Sequence, residues 1–261
     1  MNFFKRARVI YILHRYAIHH ALWETAINRL GLLQGLSAVK KAHLRELSTL
    51  FLYEKNIYGV QGFQLTDAMR VIIAAQACLP ILNLGIEFFS AWSNVVVYPD
   101  AFQVSRVERD EFGIMHHQQH ILSGESWLKG PVIFSWQDIE RDMQRWQQGH
   151  NVIVHEIAHK LDSINGSANG MPPLHFSMHS EQWAATFGEA YQQLTQRLEH
   201  HQRVCINPYA ATNPAEFFAV FSEYFFCAPD ILTTHFADVY HLLNLYYRQD
   251  PQQRMNTLNN K

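Results

Sequence analysis

Cysteine is scarce in this chain. Cys78, Cys205 and Cys227 are the full set in 261 residues, they lie far apart, and no Cys-x-x-Cys occurs. That excludes a disulfide framework and a thiolate metal site and fits a reducing, cytoplasmic setting. Charge of one sign is also missing. Lys and Arg number 21 against 23 Asp and Glu, with a pI near 6.8, so no global basic field suited to nucleic acid is present. Long apolar runs are short of membrane length. Val71 to Ile86 carries no charge but holds Gln76, Pro80 and Asn83 and falls below the about 20 residues a span requires; it reads as a buried core helix. "MNFFKRARVIYILHRYAIHH" starts basic without the apolar run and small-residue cleavage site of a secretory leader. Repeats and low-complexity linkers are absent.

What is present is an ordinary globular composition, 48% hydrophobic and 13% aromatic, in a chain long enough to bury a core. The first ~60 residues have apolar positions at helical spacing. Thr66 before Asp67 is a helix N-cap. After Pro80 and Gly85 the character changes. "NVVVYPDAFQV" reads as a strand broken by Pro99, and Gly130 to Trp136 as a second strand leading into the helix "WQDIERDMQRWQQ". Three further helices are expected: one from Val152 to Leu161 stopped at Gly166, the amphipathic "EQWAATFGEAYQQLTQRLEHH", and one capped by Asn213, opened by Pro214 and ended before Pro229. Helices, then strands, then helices predict an α+β fold, mostly helical with a small mixed β-sheet. An N-terminal helical segment, 1–65, is expected to pack on a catalytic domain, 66–261, as one unit.

The helix of Val152 to Leu161 carries "HEIAH". Sixteen histidines make an accidental match conceivable, yet chance yields it only on the order of 0.05 times in such a chain. Residues four apart share a helix face, so His155 and His159 can address one ion, while Glu156 reaches its water as general base. The preceding "NVIV" is apolar, so these polar groups sit on a buried helix and need partners. Asp162, three residues on, could brace a ligand imidazole from behind. A catalytic zinc takes three protein ligands. The extended form of the motif is not available, because Asp162 and Asn165 stand where it needs Gly and His. A later carboxylate remains, from Glu181, Glu189, Glu199, Glu216 or Glu223. Glu216 also has a plain explanation as the third residue of a capping box opened by Asn213. Glu223, seven residues on, shares its face.

"VIVHEIAHKLD" and "YAATNPAEFFAVFSEYFF" together resemble the Mlc titration factor A family of zinc metallopeptidases, and the second stretch more distantly resembles the catalytic domain of anthrax lethal factor. The likeness is strongest from about Val95 onward, including "GESWLKGPVIFSW". It implies a zincin-like fold and a gluzincin-type site: His155, His159 and Glu216 as Zn2+ ligands, Glu156 as general base, and Tyr209, seven residues before Glu216, as the phenol that steadies the oxyanion. Glu223 then stands behind the ligands. The resemblance further implies aminopeptidase-like hydrolysis of a peptide or protein substrate. Its implied partner is the transcriptional repressor Mlc, which controls glucose-uptake genes; the balanced charge and short apolar runs separately lead us to expect no direct nucleic acid or membrane contact. The alternative is a regulatory module that sequesters a repressor while its zinc site is silent or gated; a non-peptidase zinc hydrolase is a third possibility.

Other features invite less. His116 and His120 are spaced like a metal pair but have no acid between them and read as a polar surface. His19-His20 and His200-His201 read as solvated faces, and the phenylalanines of "EFFAVFSEYFF" as core. Lys5 to Arg8 could touch acidic surfaces, though a basic helix start of this size is usually just solvated.

Overall fold

A computed structural model describes residues 3–100, 108–109, 115–116 and 130–259. The first helices are α1 (Phe3–Arg15), α2 (His20–Ile27) and α3 (Ala38–Glu54). Ser37 caps α3 by accepting from the Lys40 amide at 3.3 Å. The sequence reading of this region as wholly helical misses β1 (Asn56–Gly59). Four residues are too few to display a period, and this strand exists by pairing with β2 (Asn94–Tyr98). Between them runs α4 (Asp67–Cys78). Thr66 caps it as expected, accepting from the Met69 amide at 3.2 Å. Every residue of α4 from Val71 to Cys78 is buried, so the uncharged run is a core helix as far as Cys78, and residues 79–84 continue it as turns.

Two short strands, β3 (Glu108–Arg109) and β4 (Met115–His116), pair antiparallel. His120, residues 101–107 and the "GESWLK" part of the likeness lie outside the described residues. β5 (Val132–Ser135) pairs parallel with β2, Val95 opposite Val132 and Tyr98 opposite Ser135. The larger sheet therefore has the order β1-β2-β5 and is wholly parallel, while the antiparallel pairing is a separate piece. Parallel neighbours need a crossover, which α4 supplies between β1 and β2.

The rest is helical: α5 (Trp136–Gln144), α6 (Val152–Asp162), α7 (Ser180–Glu199), α8 (Pro214–Cys227), α9 (Pro229–His235), α10 (Ala237–Tyr247) and α11 (Pro251–Asn259). Pro229, anticipated just past the end of α8, opens α9 as its first residue. The apolar residues of α2 to α4 and those after Val132 form one contiguous core. Its densest part is aromatic and centred on α8. Phe217 and Phe221 stack at 3.9 Å between centroids, Trp183 and Phe187 of α7 at 4.1 Å, and Tyr247 donates to Ser222 Oγ at 2.8 Å. All five phenylalanines of α8 are buried.

Phe221 also meets Phe236 edge-on at 5.0 Å. Phe221→Ala is expected to lower unfolding stability by about 3–5 kcal/mol in urea titrations, the cost of lost burial plus a cavity that rigid neighbours cannot close. A loss well below that would show that the aromatic cluster collapses around the gap.

Candidate metal centre

Four side chains fix the start of α6. Asn151, its N-cap, accepts from the Val154 amide at 2.9 Å and donates to Gln76 Oε1 of α4 at 2.8 Å. Asp142 Oδ2 of α5 accepts from the Val152 amide at 2.8 Å. Glu223 Oε2 of α8 accepts from the Asn151 amide at 2.6 Å. Helix-start amides, which have no partner inside a helix, are thus met by carboxylates favoured by the helix dipole.

One turn in, His155 and His159 share a face with their ring centroids 4.7 Å apart. Glu216, one turn into α8, faces them. His155 Nε2 lies 3.1 Å from His159 Nε2 and 3.1 Å from Glu216 Oε2, and the third side of the triangle is 3.3 Å. The three side chains keep only 15%, 12% and 14% of their surface exposed. A tetrahedral zinc bonded at about 2.0–2.1 Å needs donors about 3.3–3.4 Å apart, close to this triangle. These residues are the one group of described His, Cys, Asp and Glu side chains gathered closely enough to hold a metal ion.

Glu223 links this triangle to the helix start. Its Oε1 lies 2.8 Å from His155 Nδ1. The ring nitrogen donates to the carboxylate, and Nε2 is left facing the centre. Burial by itself would depress the His155 pKa, but Glu216 and Glu223 at its two nitrogens raise it to about 10. Burial opposes ionisation of Glu216, yet the two imidazoles hold its carboxyl well below the usual carboxylate range. A proton held by this cluster is one that a cation can replace, since metal binding releases protons from its ligands.

Glu216 is capped by Asn213, whose Oδ1 accepts from the Glu216 amide at 3.0 Å. Its carboxylate turns to the imidazoles, so the capping explanation covers its backbone alone. Tyr209, in the short 3-10 turn Pro208–Ala211, has its ring 6.2 Å from that of His155 and is 43% exposed at the rim. Glu156 is half-buried beside His155 on α6. Glu181, Glu189 and Glu199 lie on α7 and are not part of the cluster.

Asp162 is placed differently from expectation. Its Oδ2 accepts from the Gly170 amide at 2.8 Å, and its Oδ1 has no hydrogen-bond partner among the described residues. Burial pushes its carboxyl up to about 6. The acid behind an imidazole is Glu223, and Asp162 instead holds the loop after α6. That loop passes against the start of α8 so closely that a Cβ at Gly170 would collide with the Pro214 carbonyl.

Sequence reasoning missed Asp142, Asn151 and Gln76. Asn151 had a usable signal as an N-cap type directly before an apolar helix. Asp142 had none, because it sits among the charges of an amphipathic helix and is buried only by packing. His150 was missed too: its Nδ1 lies 2.9 Å from Asp142 Oδ1 and 3.9 Å from Glu223 Oε2.

A family model described as glucose-regulated metallo-peptidase M90 matches residues 2–248. An uncharacterised protein of Synechocystis is 39% identical over 231 residues, 88% of this chain and 84% of its own. Mlc titration factor A of an Enterobacter strain is 37% identical over 238 residues, 89% of this chain and 88% of its own. The protein of that name from Cronobacter sakazakii is 36% identical over 244 residues, 93% and 91%.

His150 yields a stability prediction. Its bond to Asp142 raises its pKa, against a smaller opposing effect of burial and with further support from Glu223. A histidine raised on folding stabilises most below its unfolded pKa, and that contribution fades as pH rises through the folded value. His150→Gln is therefore expected to lower the melting temperature at acid pH and to converge on the wild type in alkali. A difference that grew with pH would contradict this.

Proposed function

Because the chain belongs to the glucose-regulated metallo-peptidase M90 family, we propose that it is a zinc-dependent peptidase that hydrolyses peptides, in the manner of an aminopeptidase, with His155, His159 and Glu216 as the metal ligands. The observation that carries this is the donor triangle of 3.1–3.3 Å on the helix that also bears Glu156. Two imidazoles and a carboxylate are a nitrogen and oxygen set suited to zinc.

A bound zinc supplies a Lewis acid for the scissile carbonyl and brings the pKa of a water toward neutrality. Glu156 takes a proton from the attacking water and delivers it to the leaving amine. Tyr209 donates its phenol to the developing oxyanion, a role supported by its place on the rim beside His155. Glu223 holds His155 in one tautomer. β5 is the last strand of its sheet, and among the described residues no strand covers its outer edge. That edge suits an extended peptide bound by main-chain pairing.

A second role is supported by the relatives named Mlc titration factor A. In this reading the chain also engages a repressor of the Mlc type in the cytoplasm and so regulates glucose uptake. Calorimetry with such a repressor tests this directly. Unchanged binding by a hydrolytically dead variant would separate the two activities, and no binding would remove the second.

Elemental analysis of protein purified without added metal is expected to find about one zinc per chain. Glu156→Gln should keep that zinc and lose hydrolysis, because an amide cannot accept the proton of water. Turnover near wild type in this variant would end the peptidase reading. Tyr209→Phe should keep zinc and lower turnover by about 10²–10³-fold.

The ligand assignment is tested separately by competition titration. Glu216→Gln should lose zinc outright with helix content unchanged, since the Asn213 cap bonds only its backbone amide. Glu223→Gln should weaken zinc by about 10–100-fold, as outer partners do. The reverse order would make Glu223 the ligand.

A further inference from the structure

The N-terminal helix is built unlike the others. Four basic residues, Lys5, Arg6, Arg8 and Arg15, and no acid precede Glu24, against 17 basic and 23 acidic residues from there on. Only Ile12 of α1 is fully buried. Phe3, Phe4, Ala7, Ile10 and Tyr11 recur at helical spacing on one face. Phe3, Phe4 and Ile10 are 76%, 77% and 66% exposed. Tyr11, Tyr16 and Tyr53 extend this surface as a run of exposed rings, with centroids 6.2 Å and 4.9 Å apart. Arg6, Arg8 and Arg15 flank the face, Lys5 lies on the side toward Ile12, and all four are exposed. Arg8 pairs with Glu54 at 2.7 Å, which ties the helix to α3. None of these residues belongs to the metal centre.

We infer that α1 is a docking face for an anionic phospholipid surface, on which the protein lies without crossing it. An exposed apolar stripe bordered by Lys and Arg, on a helix of low overall hydrophobicity, is the pattern of a helix that lies in the lipid headgroup region. Phenylalanines enter the acyl boundary, tyrosines sit at headgroup level, and the basic rim meets anionic lipid. No described helix is long and apolar enough to span, so the contact is peripheral. A second copy is a poorer occupant, because a two-fold interface would set this basic rim against itself. A membrane contact reverses the expectation of none drawn from the sequence, and it does not depend on the peptidase reading.

The test is co-sedimentation of the full chain with vesicles of phosphatidylcholine, alone or with about 30% phosphatidylglycerol. Binding is expected only to the anionic vesicles and should weaken as salt is raised. The exposed triple variant Phe3→Ser, Phe4→Ser, Ile10→Ser should bind at least ~10-fold more weakly. Lys5→Glu, Arg6→Glu, Arg15→Glu leaves the apolar face intact and should lose binding as well, with circular dichroism reporting whether α1 persists in both. Equal binding to phosphatidylcholine alone, or failure of the wild type to bind anionic vesicles, overturns the inference. So does wild-type binding retained by either triple. A dimer seen by sedimentation velocity and abolished by the serine triple, without vesicle binding, would assign the face to a second copy and overturn it too.

Discussion

The buried carboxylate of Glu223 is the interaction on which the rest of the centre depends. It sits inside an aromatic helix, where an unpaired charge would be costly. Both of its oxygens are satisfied by α6, one by the Asn151 amide and one by the His155 ring. The bond that caps the helix is thereby continuous with the bond that orients an imidazole. α6 and α8 cannot shift against each other without stranding a charge, and this locks the two helices that carry His155, His159 and Glu216 at one spacing.

The back of the site is correspondingly fixed. Behind the imidazoles, Asn151 ties α6 to Gln76 of α4, and Asp142 ties it to α5. Lys160, one residue past His159, donates to the Gly130 carbonyl at 2.8 Å, which places the approach to β5 beside α6. On the other side, the ring of Tyr209 lies near His155 and is partly exposed. Donors held on rigid helices suit a site that must keep its geometry.

Much of this was legible in the chain because it is local. The caps at Thr66 and Asn213, the helices from Val152 and Ser180, and the pairing of His155 with His159 follow from spacing within one or two turns. Glu216 was one of several open acids on residue physics alone, and only the family likeness singled it out. β1 was invisible because its identity comes from a partner 38 residues away. Asp162 was misplaced for a related reason. Its spacing from His159 allows contact, but packing turned it to Gly170, and which way a side chain at the end of a helix turns is not a property of spacing.

The sequence by itself determined the helical framework, the motif on α6, and the presence of two acids on one face of α8 that needed a cationic or hydrogen-bonding counterpart. Periodicity and capping act between near neighbours, so they survive in one dimension. Tertiary structure alone decided which acid faces which nitrogen. Glu216 and Glu223 are two turns apart on the same helix. Only the crossing of α8 over α6 puts the first beside the Nε2 atoms and the second against Nδ1 of His155, and that crossing is set by the packing of the whole aromatic core.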